Sequence, residues 1–251
     1  MIMIKLTEQE KRMYEVMGAI ADNNVPVVYK GALVTKLILH ENQFATFARE
    51  TRDIDASWVG STPPPMVELT DMLNCALAGL NLKSVAVREH GEKMSACYDI
   101  IDLSSDELCM TIDIDMRAAT DSRTYQYGNV TFRGVTPDSV IGDKISVVSS
   151  DKVFRRAKDL IDLYALAHCV SVKTDSIRGI WERESRAIGN FDAFANRRDD
   201  LGHAYEKLRR VDKKPEFDLL YGYLAKFLAP FIEAGSAALV WNNGENIWMD
   251  I

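Results

Sequence analysis

The chain is short of cysteine, has no long hydrophobic run and carries no overall basic surplus, and each shortage removes a class of protein. Its four cysteines, Cys75, Cys97, Cys109 and Cys169, are scattered through 251 residues with no C-x-x-C spacing. Thiols placed this way build neither a disulfide framework nor a zinc ribbon, and in apolar surroundings such as theirs a buried thiol is the default. The hydrophobic stretches are brief, since Ala32 to Leu39 is broken by Lys36 and Ala237 to Trp241 is five residues; a bilayer span needs about 20. Met1-Ile2-Met3-Ile4-Lys5 lacks the basic-then-apolar order of a secretory signal. The expectation is a soluble protein of the cytoplasm with no membrane partner. The histidines, His40, His90, His168 and His203, are equally dispersed, and none stands beside a nucleophile or another ligand type, so surface or core roles are expected.

With 47% hydrophobic and 27% charged residues the chain can bury a substantial core, as one large domain or two small ones. The formal net charge of −7 argues against a general nucleic-acid coat. The charge is uneven, however. Residues 144–214 hold 16 Lys and Arg against 11 Asp and Glu, leaving 14 against 26 elsewhere. A polyanion would meet this later half; solvated helix faces with i,i+4 pairs account for the same count.

Thr7 and Glu10 form a capping box, and Met13, Val16, Met17 and Ile20 follow at helical spacing to about Asn23-Asn24. Val25 to Tyr29 reads as a buried strand, Gly31 to His40 as a helix and Asp53 to Val59 as a strand. Met66, Leu69, Leu73, Leu77 and Leu80 mark another helix. From Lys83 to Val135 the period changes to two, giving strands at 84–89, 95–101 and 108–117, and a 125–131 segment turning at Gly128-Asn129. His90-Gly91-Glu92-Lys93 is a hairpin turn in this reading. After Thr136-Pro137 the chain is mostly helical, at 138–148, 151–170, 175–187, a basic helix before Arg210, and 215–233, with a closing hairpin around Asn242-Asn243-Gly244. The fold class expected is α+β: a mixed sheet with flanking helices over 1–135, then a helical part over 136–251 that shares an interface with it and completes a cleft.

Asp53 and Asp55 stand two apart on a strand, so both carboxylates point to one face about 6 to 7 Å apart, a grip for a divalent metal. A lone Asp-x-Asp also occurs at solvated strand ends. Upstream, Tyr29-Lys30-Gly31-Ala32-Leu33 turns a strand into a helix at glycine, and such a helix N-terminus offers N–H groups and a positive dipole end to a phosphate. In Thr111-Ile112-Asp113-Ile114-Asp115 two more acids interrupt an apolar strand. Because a buried carboxylate without a cation is costly, that strand either supplies a further ligand or is an edge with its acids in water.

Asp143-Lys144 and Arg155-Arg156-Ala157-Lys158-Asp159-Leu160-Ile161-Asp162-Leu163-Tyr164 supply the third group. In one continuous helix Arg155, Asp159 and Asp162 fall at i, i+4 and i+7 on one face, while Leu160, Leu163 and Leu166 line another. Lys144, flanked by Val140, Ile141, Ile145 and Val148, reads as a cation leaving an apolar helix, suited to a triphosphate. The bland alternative is an intrahelical Arg155–Asp159 salt bridge and a surface lysine.

Taken in order, Lys30-Gly31-x-Leu33, Arg49-x-Thr51-x-Asp53-Ile54-Asp55, Asp143-Lys144 and Arg155-x-x-Lys158-Asp159-x-x-Asp162-Leu163-Tyr164 resemble the AbiEii/AbiGii-type nucleotidyltransferase toxins and the related MenT toxins, over about residues 25 to 170. The resemblance implies a DNA polymerase β-like nucleotidyltransferase core and transfer of a nucleoside monophosphate from an NTP, with tRNA as acceptor, by the toxin of a toxin–antitoxin or phage-defence pair restrained by a cognate antitoxin. It implies that Asp53 and Asp55 bind Mg²⁺ (or Mn²⁺) and that Lys30, Gly31, Thr51 and Lys144 hold the nucleotide. Asp162 then places or deprotonates the acceptor hydroxyl, with Arg49, Arg155, Asp159, Asp113 and Asp115 in support. The family shows two adjacent glycines where this chain has Gly31-Ala32. Arg155, Arg156, Arg183, Arg186, Arg197, Arg198, Arg209 and Arg210 are the candidates for RNA contact. The same site acting on a small molecule such as an aminoglycoside, and a non-catalytic nucleotide-binding relative, are the rival readings.

Overall fold

The computed structural model describes residues 6–44, 50–60, 62–89, 95–116, 121–209, 211, 213–233, 235 and 237–251. Arg49, Arg210 and the expected turn at 90–93 lie outside the described residues. The described residues divide into two compact units. The first holds 6–37 and those from 50 to 136; the second holds 38–44 and those from 137 on.

The first unit opens with α1 (Glu8–Asp22), whose Thr7 side chain accepts the Glu10 N–H while Glu10 accepts the Thr7 N–H, the expected capping box. Next come β1 (Val27–Lys30), α2 (Gly31–Glu41), β2 (Asp53–Trp58) and α3 (Met66–Leu77). Then β3 (Leu82–Arg88), β4 (Ser95–Asp102), β5 (Leu108–Asp115), β6 (Ser122–Tyr127) and β7 (Val130–Val135) complete a seven-stranded sheet in the order β3-β4-β5-β2-β1-β7-β6. The sheet is mixed: β2 runs parallel to β5 and β1 to β7, while the other neighbours are antiparallel.

Alternation along these strands separates two faces. Tyr29, Ile54, Ala56, Tyr98, Ile100, Ile112 and Ile114 are buried together with Met13, Val16, Met17 and Ile20 of α1 and Leu69, Leu73 and Leu77 of α3. Hydrogen bonds confirm which face the helices cover, since Tyr29 donates its hydroxyl to the Met17 carbonyl at 3.1 Å. Burying each such side chain is worth roughly 1.5–3 kcal/mol, which pins the register because a slip of one residue would bring the acids onto α1 and α3. Placing β5 between β4 and β2 removes the edge-strand reading of Thr111 to Asp115.

The second unit contains α4 (Pro137–Val148), α5 (Lys158–Cys169), α6 (Thr174–Arg183), α7 (Asp192–Asn196), α8 (Arg198–Glu206), α9 (Phe217–Ile232) and the hairpin β8 (Leu239–Asn242) and β9 (Ile247–Asp250). Val140, Ile141 and Ile145 of α4, Leu160, Leu163 and Leu166 of α5, Ile177 and Ile180 of α6, and Leu220, Leu224 and Phe227 of α9 make its core. Trp241 closes it, fully buried, with its indole N–H donated to the Ala167 carbonyl at 2.7 Å.

The fold is α+β with a helical later part, as the sequence patterns and the resemblance require. Two local expectations fail. The helix expected over 151–170 is broken, because Asp151–Phe154 is a 3-10 turn and α5 begins only at Lys158. The cysteines are not buried either: Cys75 is exposed and Cys97, Cys109 and Cys169 are half-buried, because each sits beside the buried stripe of its element rather than in it. None of the described helices is long and apolar enough to cross a membrane.

Candidate functional site

The polar face of the first unit's sheet gathers most of the chemistry. Asp53, Asp55 and Ser57 alternate with Ile54, Ala56 and Trp58 along β2, so the carboxylates lie opposite the apolar layer. In the parallel pairing Asp55 lies in register with Asp113 and Ser57 with Asp115, while across β1 Lys30 stands opposite Asp55. Residues in register share a face about 4.8 Å apart, which sets Asp53, Asp55, Asp113, Asp115 and Lys30 side by side. Lys30 Nζ lies 3.1 Å from Asp115, and Arg88 donates to Asp113 at 2.7 Å. Lys30 is therefore tied to the fourth acid of the face. Asp53 Oδ1 accepts from the Thr51 hydroxyl at 2.8 Å and from the Arg52 N–H at 3.3 Å.

Glycine at 31 has a concrete reason. Its φ is +74°, the left-handed region where side chains other than glycine's are strained, and a Cβ there would overlap Asp55 Oδ2 and stand 2.9 Å from its Cγ. The Asp55 carboxylate thus rests against the first residue of α2, where the positive end of the helix dipole favours an anion. The Lys-Gly turn and the Asp-x-Asp strand, 24 residues apart between Gly31 and Asp55, form one structural feature.

In the second unit Lys144, Asp159 and Asp162 come together. The Lys144 ammonium donates to Asp162 at 2.7 Å and to Asp159 at 3.1 Å, and all three side chains are buried. The expectation of a lysine emerging from its helix is corrected here: Val140, Ile141, Ile145 and Val148 carry its stem into the core, and two acids meet it there. Arg155 does not share their face. It follows the 3-10 turn, exposed, and its neighbour Arg156 makes the ion pair with Asp159 at 2.7 Å. Of the expected RNA set, Arg186 also pairs with Asp143 and Glu184, Arg197 with Asp200 and Asp151, and Arg198 with Asp218. His168 stacks on Tyr223 with ring centroids 3.9 Å apart, and its burial lowers its pKa below the usual value.

The family model for "Nucleotidyl transferase AbiEii toxin, Type IV TA system" matches residues 39–238, well over half of the 251. The chain belongs to the AbiEii nucleotidyl transferase toxin family. Ten chains among solved structures match this AbiEii member. One is MenT4, a nucleotidyltransferase toxin from Mycobacterium tuberculosis H37Rv, at 15% identity and a TM-score of 0.48, covering 75% of this chain and 66% of that one, just under two thirds of its length. Another is an antigenic nucleotidyltransferase-like protein from Paracoccidioides brasiliensis, at 12% identity and a TM-score of 0.44, covering 81% of this chain and 94% of that one. No curated protein matches the sequence. The family match begins after Lys30 and Gly31, so that turn stands on its geometry alone.

Among the described residues of this AbiEii member, no three His, Cys, Asp or Glu side chains form a metal cage. Asp53 and Asp55 are a two-carboxylate set, and magnesium is ordinarily held by one or two carboxylates with substrate phosphates and water completing its shell. Their spacing on one strand face fits such an ion. Sequence reasoning missed Arg88, which pairs with Asp113, and Glu10 and Lys36, which pair with each other, Glu10 also accepting the N–H of Thr51, two residues before Asp53. For Glu10 a signal existed, the capping box, but its second set of partners comes from distant segments.

Proposed function

We propose that this AbiEii-family chain transfers a nucleoside monophosphate from an NTP to RNA, with tRNA as the acceptor, and that it acts in the cytoplasm as the toxin of a toxin–antitoxin or phage-defence pair held in check by a cognate antitoxin. The observation that carries the reading is the pair Asp53 and Asp55 on the polar face of β2, with the Asp55 carboxylate packed against the Gly31 turn. Asp53 and Asp55 hold Mg²⁺ or Mn²⁺ in this reading. Such an ion supplies charge neutralisation on the reacting phosphate.

The chain's own residues then do the positioning that phosphoryl chemistry needs. Gly31 opens the α2 N-terminus toward the phosphates, and Thr51 fixes the Asp53 rotamer. Asp113 is the better placed of the two further acids, since it lies in register with Asp55 whereas Asp115 lies in register with Ser57; Arg88 and Lys30 hold the one and the other. In the second unit Lys144 and Asp162 form a buried cluster, and the resemblance assigns them to the nucleotide's phosphates and to the acceptor hydroxyl. Asp159 and Arg156 support that cluster. Arg197 and Arg198 are half-exposed and their carboxylate pairs, with Asp200 and Asp151 and with Asp218, are worth little in water, so phosphates can replace those partners.

Incubating the protein with labelled NTPs and total tRNA tests the proposal: label entering tRNA with the wild type and none with Asp53→Ala is the expected result. A folded Asp53→Ala variant of undiminished activity would refute the assignment of the site. Label in an added aminoglycoside, with none in RNA, would transfer the reading to a small-molecule acceptor.

A further inference from the structure

We propose that Glu10 and Lys36 are positioning residues that set Asp53 for cation binding, through Thr51; the inference rests on the reading of Asp53 as a metal-binding carboxylate. Glu10 is fully buried, although a capping-box glutamate needs only the Thr7 N–H and ordinarily stays in water. A carboxylate taken out of water at this depth is expensive unless it is paired and hydrogen-bonded. Glu10 is both. Its Oε2 accepts the Thr7 N–H at 3.1 Å; its Oε1 pairs with the Lys36 ammonium and accepts the Thr51 N–H at 3.0 Å. One side chain thereby joins the first turn of α1, the body of α2 and the residue two places ahead of Asp53.

From there the chain of contacts continues to the site. The Thr51 hydroxyl donates to Asp53 Oδ1, and the Arg52 N–H reaches the same oxygen, so both bonds select one rotamer. On the other side, Lys36 lies on α2 five residues after Gly31, and Thr35 donates its hydroxyl to the Gly31 carbonyl at 2.9 Å. The anchor that fixes Thr51 also fixes the helix whose first residue meets Asp55. Holding both acids from one buried carboxylate matters because a misplacement of about 1 Å in a reacting constellation can cost about 100-fold in rate.

Three variants separate this role from simple structural support. Thr51→Val removes the hydroxyl and keeps shape and backbone; Glu10→Gln keeps an acceptor and removes the charge; Asp53→Ala is the reference. The probe is Mn²⁺ counted by electron paramagnetic resonance in the presence of α,β-methylene analogues of the four NTPs, with circular dichroism and urea midpoints reporting the fold. Thr51→Val is expected to weaken Mn²⁺ binding about tenfold with an unchanged circular dichroism spectrum, and Glu10→Gln to weaken it likewise. Should Glu10→Gln fail to fold, Thr51→Val decides. Wild-type Mn²⁺ affinity in a folded Thr51→Val variant overturns the inference while leaving the metal site intact. Equal Mn²⁺ binding by wild type and Asp53→Ala overturns the metal reading and this inference with it.

Discussion

Replacing Gly31 by alanine should damage the first unit in a way that depends on Asp55. Two effects add at this position. With φ at +74° an alanine is forced into left-handed backbone, which costs about 1–2 kcal/mol. Its Cβ would also overlap Asp55 Oδ2 and stand 2.9 Å from Cγ and 3.0 Å from Cβ, so strand and helix must part or the carboxylate must leave its rotamer; overpacking of that kind costs about 1–3 kcal/mol. The total is about 2–5 kcal/mol, read as a lowered urea midpoint. In an Asp55→Ala background the Oδ2 and Cγ contacts are gone, leaving the backbone part, about 1–2 kcal/mol, and the 3.0 Å approach to Cβ. A double-mutant cycle measured by urea unfolding therefore gives a coupling of about 1–3 kcal/mol between residues 31 and 55. Strictly additive losses would refute the argument that glycine stands there to make room for the carboxylate.

Other consequences concern the second unit. Lys144→Met would leave Asp159 and Asp162 buried without their shared cation, and removing one partner of a buried ion pair costs about 3–5 kcal/mol; an unchanged urea midpoint would mean that Lys144 is solvated. His168 is held below its ordinary pKa of 6.5 chiefly by burial, so at acid pH the unfolded chain takes a proton that the folded chain resists. Stability contributed by neutral His168 is full above pH 6.5 and falls as the pH drops through the lowered folded value. His168→Phe, which keeps a ring on Tyr223, should flatten the dependence of the urea midpoint between pH 7 and 5. Burial pushes the Cys169 thiol up to about 12, whereas Cys75 is exposed. Iodoacetamide at pH 8 should accordingly label Cys75 first and Cys169 last in the native protein, as mass spectrometry of digests would record.

Much of the secondary structure was legible because each element writes its buried face at its own period. The stripe Met13, Val16, Met17 and Ile20 fixes α1, and Asp-Ile-Asp in β2 fixes which residues turn toward the apolar layer. The break at Arg155 was not legible: Arg155-Arg156-Ala157 contains neither glycine nor proline, and Asp159 lies at helical spacing from both arginines, so pattern alone extended the helix and assigned the ion pair to the wrong one. The thiols illustrate the same gap, since an apolar neighbourhood in sequence does not say which side of the stripe a cysteine falls on.

By itself the sequence determined that Asp53 and Asp55 share one face and that a glycine opens the following helix after β1, because both are consequences of spacing along a few residues. Only the tertiary structure decided which partners meet those groups. Glu10 reaches Thr51 across 41 residues and Lys36 across 26, and Lys30 reaches Asp115 across 85. Local periodicity encodes the direction in which a side chain leaves the backbone, whereas the cation that neutralises a buried acid is chosen by strand order and helix packing, which no short window of residues contains.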